Sequence, residues 1–264
     1  MTAEIELANL NETLKKIADG GPYANRRAGN HGGVGNTLED LLEVEENNLS
    51  LPDLGSWEIK SQRHSTTSLL TLFHREPEPR SSSIVARELL PRYGWKHQEA
   101  GIKYGPEERS FRQTIFGSRP TNRGFYIVIN MELERVEVHF DAKLVDQDSH
   151  RDWLTSVAEI VGLGDLSPLP YWSFKQLENT LQQKLKNLLY FSATTTRIDG
   201  AEYYDYKTFL ALADPTLNQF LDLLSSGKIA IDFDARTGHN HGTKFRIRRH
   251  FLTELYSRNV SVKE

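Results

Sequence analysis

Three side chains within nine residues could do chemistry together: Asp53, Glu58 and Lys60, in Pro52-Asp53-Leu54-Gly55-Ser56-Trp57-Glu58-Ile59-Lys60. The Gly-Ser pair is a turn signal, and the residues after it read as the entry to a strand. Glu58 and Lys60 are two apart, so a strand projects them from one face. Asp53 precedes the turn and can fold back toward them. Two carboxylates can hold a hard divalent cation, which lowers the pKa of bound water and neutralises phosphate oxygens. A lysine beside that water, or beside the scissile phosphate, completes what hydrolysis of a phosphodiester requires. Asp53 and Glu58 are thus the candidate metal ligands, with Lys60 as the third catalytic group. Glu39, on the preceding helix, could orient Lys60 or bind metal indirectly. The same D-x4-E-x-K spacing also describes a salt-bridged surface hairpin, so the surroundings must decide.

Those surroundings begin with a helix over residues 3–19, whose apolar positions (Ile5, Leu7, Leu10, Leu14, Ile17) follow helical spacing and stop at Gly20-Gly21. A glycine-rich loop spans residues 28–36 and offers N–H groups to a phosphate. It is not a Walker loop, since no Lys-Ser/Thr follows its glycines. Thr37 is expected to cap a second helix carrying Leu38, Leu41 and Leu42. Further on, residues 69–73 read as a strand, 83–90 as a short helix, and 125–131 with 134–140 as a strand hairpin. Residues 174–189 read as one long helix, 217–224 as a helix closed by Gly227, and 229–233 and 244–248 as strands. Residues 203–213 are aromatic without a clear period, and 252–256 read as a closing helix. The mixture predicts an α/β (α+β) fold: a mixed sheet flanked by helices, in two lobes. Glycines near 105–124 suggest a cut that leaves 1–110 as the catalytic lobe and 111–264 as a second lobe, with room for the two to interleave.

The second informative patch is Lys244-Phe245-Arg246-Ile247-Arg248. On a strand it gives one cationic and one buried face. The segment before it, Arg236-Thr237-Gly238-His239-Asn240-His241, reads as a flexible loop of short hydrogen-bonding side chains. Arginine pairs bidentately with guanine, histidine donates to it, and asparagine reads adenine. An isolated K-x-R-x-R is also an ordinary solvated edge strand, and His239-x-His241 lacks a third metal ligand at a persuasive spacing. With a phosphodiesterase motif upstream, base reading is the better account. His64 stands equally between a DNA contact near the active site and a surface histidine. Tyr203, Tyr204, Tyr206 and Phe209 fit core packing better than stacking on DNA.

The net charge of −4 argues against indiscriminate binding to polyanions, but it leaves room for a localised basic face. The absence of cysteine excludes disulfide scaffolds, thiolate zinc sites and cysteine nucleophiles, and it fits a reducing cytoplasm. No apolar run approaches a membrane span, and the N-terminus lacks a secretory pattern. A glycosidase reading of the two carboxylates would leave Lys60 and the basic strand without a role.

Taken together, Gly-x-Gly-Asn-Thr-Leu-Glu-Asp-Leu-Leu over 33–42, Asn47-Asn48, Pro52-Asp53-Leu54, Glu58-Ile59-Lys60-Ser61-Gln62-Arg63 and Leu70-Thr71-Leu72-Phe73 resemble the MvaI/BcnI-type restriction endonucleases, relatives of the strand-nicking protein MutH. The resemblance is concentrated in 29–75 and returns in 227–234 and 239–246. It implies a PD-(D/E)xK nuclease with two lobes gripping duplex DNA in a cleft, acting as a monomer on a short GC-rich site. It implies Asp53, Glu58, Lys60 and Glu39 as catalytic residues, Mg2+ as cofactor with Mn2+ as a substitute, and a cognate DNA methyltransferase as companion in a prokaryotic cytoplasm. A MutH-like nicking enzyme for mismatch repair and a non-catalytic DNA-binding protein are the alternatives.

Overall fold

A computed structural model describes residues 3–25, 32–44, 52–80 and 83–263. Of the glycine-rich loop expected over 28–36, residues 28–31 lie outside the described residues, as does the Asn47-Asn48 motif, while Gly33–Asn36 form the first turn of α2 and not a loop. In chain order the elements run α1 (Ala3–Gly20), β1 (Tyr23–Ala24), α2 (Gly33–Leu41), β2 (Glu58–Arg63) and β3 (Leu70–His74). A π-helical turn (Val85–Leu89) leads into α3 (Leu90–Tyr93), β4 (Trp95–Lys96), β5 (Arg109–Phe116), β6 (Arg123–Asn130) and β7 (Arg135–Val145). Then come α4 (Gln147–Val161), β8 (Tyr171–Ser173), α5 (Phe174–Lys184), β9 (Asn187–Ile198), β10 (Ala201–Pro215) and α6 (Leu217–Ser225). The chain ends with β11 (Ile229–Arg236), β12 (His239–Asn240), β13 (Lys244–Ile247), a 3-10 turn (Arg249–Leu255) and β14 (Tyr256–Lys263). Among the described residues no helix is long and apolar enough to cross a membrane.

The chain falls into two compact units, each built from separated stretches. The first is Met1–Ser68, Glu178–Thr216 and Leu252–Glu264; the second is Leu69–Leu177 and Leu217–Phe251. The single cut expected near residue 110 falls inside β5. Long-range strand pairing explains the interleaving, because β2 finds its partner β9 more than a hundred residues away.

In the first unit the sheet order is β1-β10-β9-β2, with β14 also on β10. β2 and β9 run parallel, with Glu58 opposite Leu188 and Lys60 opposite Tyr190. One face is closed by α1 and α2, whose Leu14, Ile17, Val34 and Leu38 join Trp57, Ile59, Phe191 and Tyr206 in one apolar cluster. Burial of this kind is the main favourable term holding helix to sheet. A buried polar pin adds to it: Tyr206 Oη donates to the Val34 carbonyl at 2.6 Å. α2 starts at Gly33, so Thr37 is a buried interior residue and not the expected cap. The helix expected over 174–189 stops at Lys184, and Leu188 and Leu189 are buried strand residues. Their apolar period fits either state, and sheet pairing decides it. Residues 252–256 likewise close a 3-10 turn and enter β14.

The second unit holds a sheet ordered β3-β13-β11-β5-β4, with β12 on β11, and a smaller sheet β6-β7-β8. Its interior is aromatic: Phe111 meets Phe125 edge-on at 5.4 Å, and Trp172 meets Phe245 edge-on at 5.2 Å. The expected hairpin over 125–140 is present as β6 and β7.

Candidate active site

The turn between Asp53 and Glu58 is a two-residue hairpin. Leu54 and Trp57 exchange backbone hydrogen bonds, each at 2.9 Å, around Gly55-Ser56. Gly55 takes φ +59, a conformation that costs a Cβ-bearing residue energy. The Glu6 carboxylate of α1 braces the turn, accepting from Ser56 N at 2.9 Å and Ser56 Oγ at 2.6 Å. Asn187 of β9 donates to the Ser56 carbonyl at 3.0 Å, and Trp57 Nε1 donates to the Ala3 carbonyl at 3.2 Å. Helix, turn and sheet are thereby tied at the place where the chemistry would occur.

This turn folds Asp53 back onto the strand, as expected: its Oδ2 accepts from Ile59 N at 2.9 Å. Glu58 and Lys60 project from one face of β2 and are joined by a short ion pair. Glu58 is 1% exposed, yet one of its carboxylate oxygens, Oε2, has no hydrogen-bond partner. Burial pushes its carboxyl above the usual range; Lys60 and Lys184 oppose that push and the charge of Asp53 adds to it. A buried carboxylate with an unpaired oxygen beside a second carboxylate suits a hard divalent cation, which takes one or two carboxylates and completes its shell with water and phosphate. Among the described residues no cluster of three or more His, Cys, Asp or Glu offers a richer cage.

Glu39 sits on α2, the helix that covers the Ile59 face of β2. A Cβ on Gly35 would stand 3.7 Å from Ser61 Oγ and 3.9 Å from Glu39 Oε1, so Glu39 lies on the Ile59 and Ser61 side of β2, the face opposite Glu58 and Lys60. Two neighbours had no sequence signal. Lys184, in the last turn of α5, reaches Glu58 Oε1 at 3.8 Å. The buried Tyr256 hydroxyl has no hydrogen-bond partner; burial first, and then the Glu58 charge, raises its pKa well above the ordinary value. Both come from segments more than a hundred residues downstream of Glu58. His64 follows β2 and places Nδ1 3.1 Å from Ser192 Oγ. Arg63, in the same motif, is committed to Glu202 at 3.0 Å and to the Tyr204 hydroxyl at 3.1 Å.

In the second unit the basic strand is not a bare cationic face. Lys244 Nζ donates to Asp234 at 2.8 Å, and Arg246 donates to Asp232 at 3.0 Å and to the Leu69 carbonyl at 2.8 Å. Arg236 pairs with Glu108 at 3.0 Å and lies over the Tyr104 ring. Burial pushes the Asp234 carboxyl up, but the hydrogen bond and charge of Lys244, with Arg112 and His241, hold it below the usual range. Arg248 lies past the end of β13 and is exposed. The segment expected as a flexible loop is a hairpin: β12 pairs with β11, the His239 and His241 rings stack 6.3 Å apart, and Asn240 donates to Glu76 at 3.3 Å.

These features meet a consistent set of likenesses. The profile of the MvaI/BcnI restriction endonuclease family matches residues 11–256. The fold is similar to a solved complex of restriction endonuclease MvaI with cognate DNA substrate, at 30% identity and TM-score 0.76, covering 100% of this chain and 98% of that one. It is similar also to MvaI in the absence of DNA, at 30% identity and TM-score 0.55, covering 100% and 99%. No curated protein matches. The chain belongs to the MvaI/BcnI restriction endonuclease family and is a site-specific deoxyribonuclease.

Proposed function

We propose that the protein hydrolyses phosphodiester bonds in both strands of duplex DNA at a short GC-rich site, with Mg2+ as cofactor and Mn2+ as a substitute. The observation that carries this reading is the buried Glu58 carboxylate, with one oxygen unpaired, beside Asp53 and Lys60. Asp53 and Glu58 would hold the cation. When bound, the cation supplies Lewis acidity, lowering the pKa of a coordinated water and offsetting charge on the phosphate.

The protein's own groups do the rest. The Ile59 N–H fixes Asp53 before substrate arrives, which removes its reorganisation from the reactive step. Lys60 leaves Glu58 for a phosphate oxygen or for the attacking water, and Glu39 is the auxiliary acid. Arg236, His239, Asn240, His241, Lys244, Arg246 and Arg248 contact DNA, with phosphate contacts setting register and base edges setting sequence. His64 contacts DNA beside the cut. The protein acts as a monomer, with a cognate methyltransferase as a functional companion.

Digestion of a plasmid of known sequence with magnesium, followed by sequencing of the ends, tests this. Linear products with one recurring end sequence are expected, and Asp53→Ala should abolish them. Persistent nicked circles would point to a MutH-like nicking activity instead, and unchanged cleavage by Asp53→Ala would refute the assignment of the site.

A further inference from the structure

Cations on a DNA-binding face normally stay free to meet phosphates. Here each of the central ones is held by a carboxylate on the neighbouring strand. Asp232 and Asp234 are two apart on β11 and share one face of the sheet. Register places Asp232 opposite Thr114 of β5 and Asp234 opposite Arg112. On the other side register sets Lys244 of β13 opposite Asp232 and Arg246 opposite Ala230, so the ion pairs to Asp234 and Asp232 run diagonally. The result is two polar rungs across three strands. In one, Asp232 accepts from Thr114 Oγ1 at 2.6 Å and from Arg246 at 3.0 Å. In the other, Asp234 lies between Lys244 at 2.8 Å and Arg112 at 2.9 Å. The side chains of Asp232 and Asp234 are 13% and 24% exposed, and Asp234 keeps Oδ1 buried while its Oδ2 holds Lys244.

We propose that Asp232 and Asp234 are specificity-determining residues, each reading the cytosine of a C:G pair while withholding its cation from non-specific phosphates. The inference rests on the reading of this face as the DNA interface. Two properties carry it. A carboxylate beside an arginine presents acceptor, donor, donor in a row. A C:G pair in the major groove presents the complement: the cytosine N4 amino donor, then the guanine O6 and N7 acceptors. A thymine in place of cytosine puts its O4 acceptor where the amino donor stood, which repels the carboxylate and leaves it without a donor. The second property is repulsion. Where no cytosine amino group is available, the carboxylate keeps its cation paired and repels the phosphate backbone, so sequence-independent binding is suppressed. Discrimination built partly from a repulsive element is a general route to specificity.

The test is DNA binding in chelator, where no cleavage intervenes. Wild type, Asp232→Asn, Asp234→Asn and the double variant Lys244→Ala/Arg246→Ala are titrated with two probes: a short duplex carrying the mapped cleavage site, and a poly(dA-dT) duplex. Each aspartate variant should bind poly(dA-dT) more tightly. The slope of log K against log salt should steepen by about 0.9 for each cation set free. The ratio of site to poly(dA-dT) affinity should fall by roughly tenfold to a hundredfold. Folded aspartate variants with unchanged ratio and slope overturn the proposal. If instead the Lys244/Arg246 variant keeps its site affinity, the reading of this face as the DNA interface fails. Should an aspartate variant not fold, wild type decides with a site duplex whose cytosines are replaced by 2-pyrimidinone, which lacks the 4-amino group. A loss of roughly tenfold per contacted position supports the proposal, and unchanged affinity refutes it.

Discussion

Replacing Glu58 by glutamine should separate the cost of holding that carboxylate from its use. Glu58 is 1% exposed, and its Oε2 has no hydrogen-bond partner. A buried polar atom left unpaired costs about 1–3 kcal/mol, and a neutral amide costs less to leave there than a charge. The lost pair with Lys60 offsets part of the gain. The Lys60 side chain is 21% exposed, so water can take over its charge and the loss is about 1 kcal/mol. The balance makes the Glu58→Gln chain more stable by about 1 kcal/mol in chelator, a rise in Tm of about 2–4 °C. Magnesium should act in the opposite sense. A cation at a hundredfold excess over its Kd stabilises the wild-type fold by about 2.7 kcal/mol, or roughly 5–10 °C. The variant, with one of two ligands gone, should gain little of this and should not cleave. Thermal unfolding in chelator and in saturating magnesium reads both effects, with cleavage measured on the same samples. A variant that melts lower than wild type in chelator, or that gains as much from magnesium, would refute the reasoning.

The brace beneath the site gives three more expectations. In Gly55→Ala the new Cβ stands 3.0 Å from Glu6 Oε2 at φ +59, so stability should drop by about 1–2 kcal/mol and cleavage should slow as Asp53 shifts against Glu58; melting and single-turnover cleavage report the two effects. Glu6 has its pKa lowered by the Ser56 side-chain and backbone hydrogen bonds, so its contribution is present above the unfolded carboxyl value and is lost as pH falls through the folded one. Glu6→Gln should therefore cost about 1 kcal/mol at neutral pH, discounted for solvent exposure, and should flatten the acid limb of stability against pH. Tyr206→Phe leaves the Val34 carbonyl without its 2.6 Å donor and should cost about 1–3 kcal/mol, visible as a lower denaturant midpoint with an unchanged slope.

Much of the site was legible because its parts are local. Asp53, the Gly55-Ser56 turn, Glu58 and Lys60 lie within one hairpin and one strand, and strand alternation alone puts the last two on one face. Periodic elements such as α1, α6 and the β6–β7 pair were legible for the same reason. Leu188 and Leu189 read as helix because a brief apolar run fits helix and strand alike. Their strand state is fixed by pairing with β2, which lies far away in sequence.

The sequence by itself determined which candidate carboxylates and lysine share one turn and strand, the turn that folds Asp53 back, and the alternation that gives β13 a polar and an apolar face. Those follow from residue type and from geometry over a few positions. Tertiary structure decided what surrounds them. It brought Lys184 and Tyr256 to Glu58, buried that carboxylate with an oxygen unpaired, and split the chain into interleaved units. It also set Asp232 and Asp234 against Arg246 and Lys244, so that a strand basic in sequence is charge-balanced in the fold. Burial and ion pairing depend on which distant segments meet, and sheet register is what fixes that meeting.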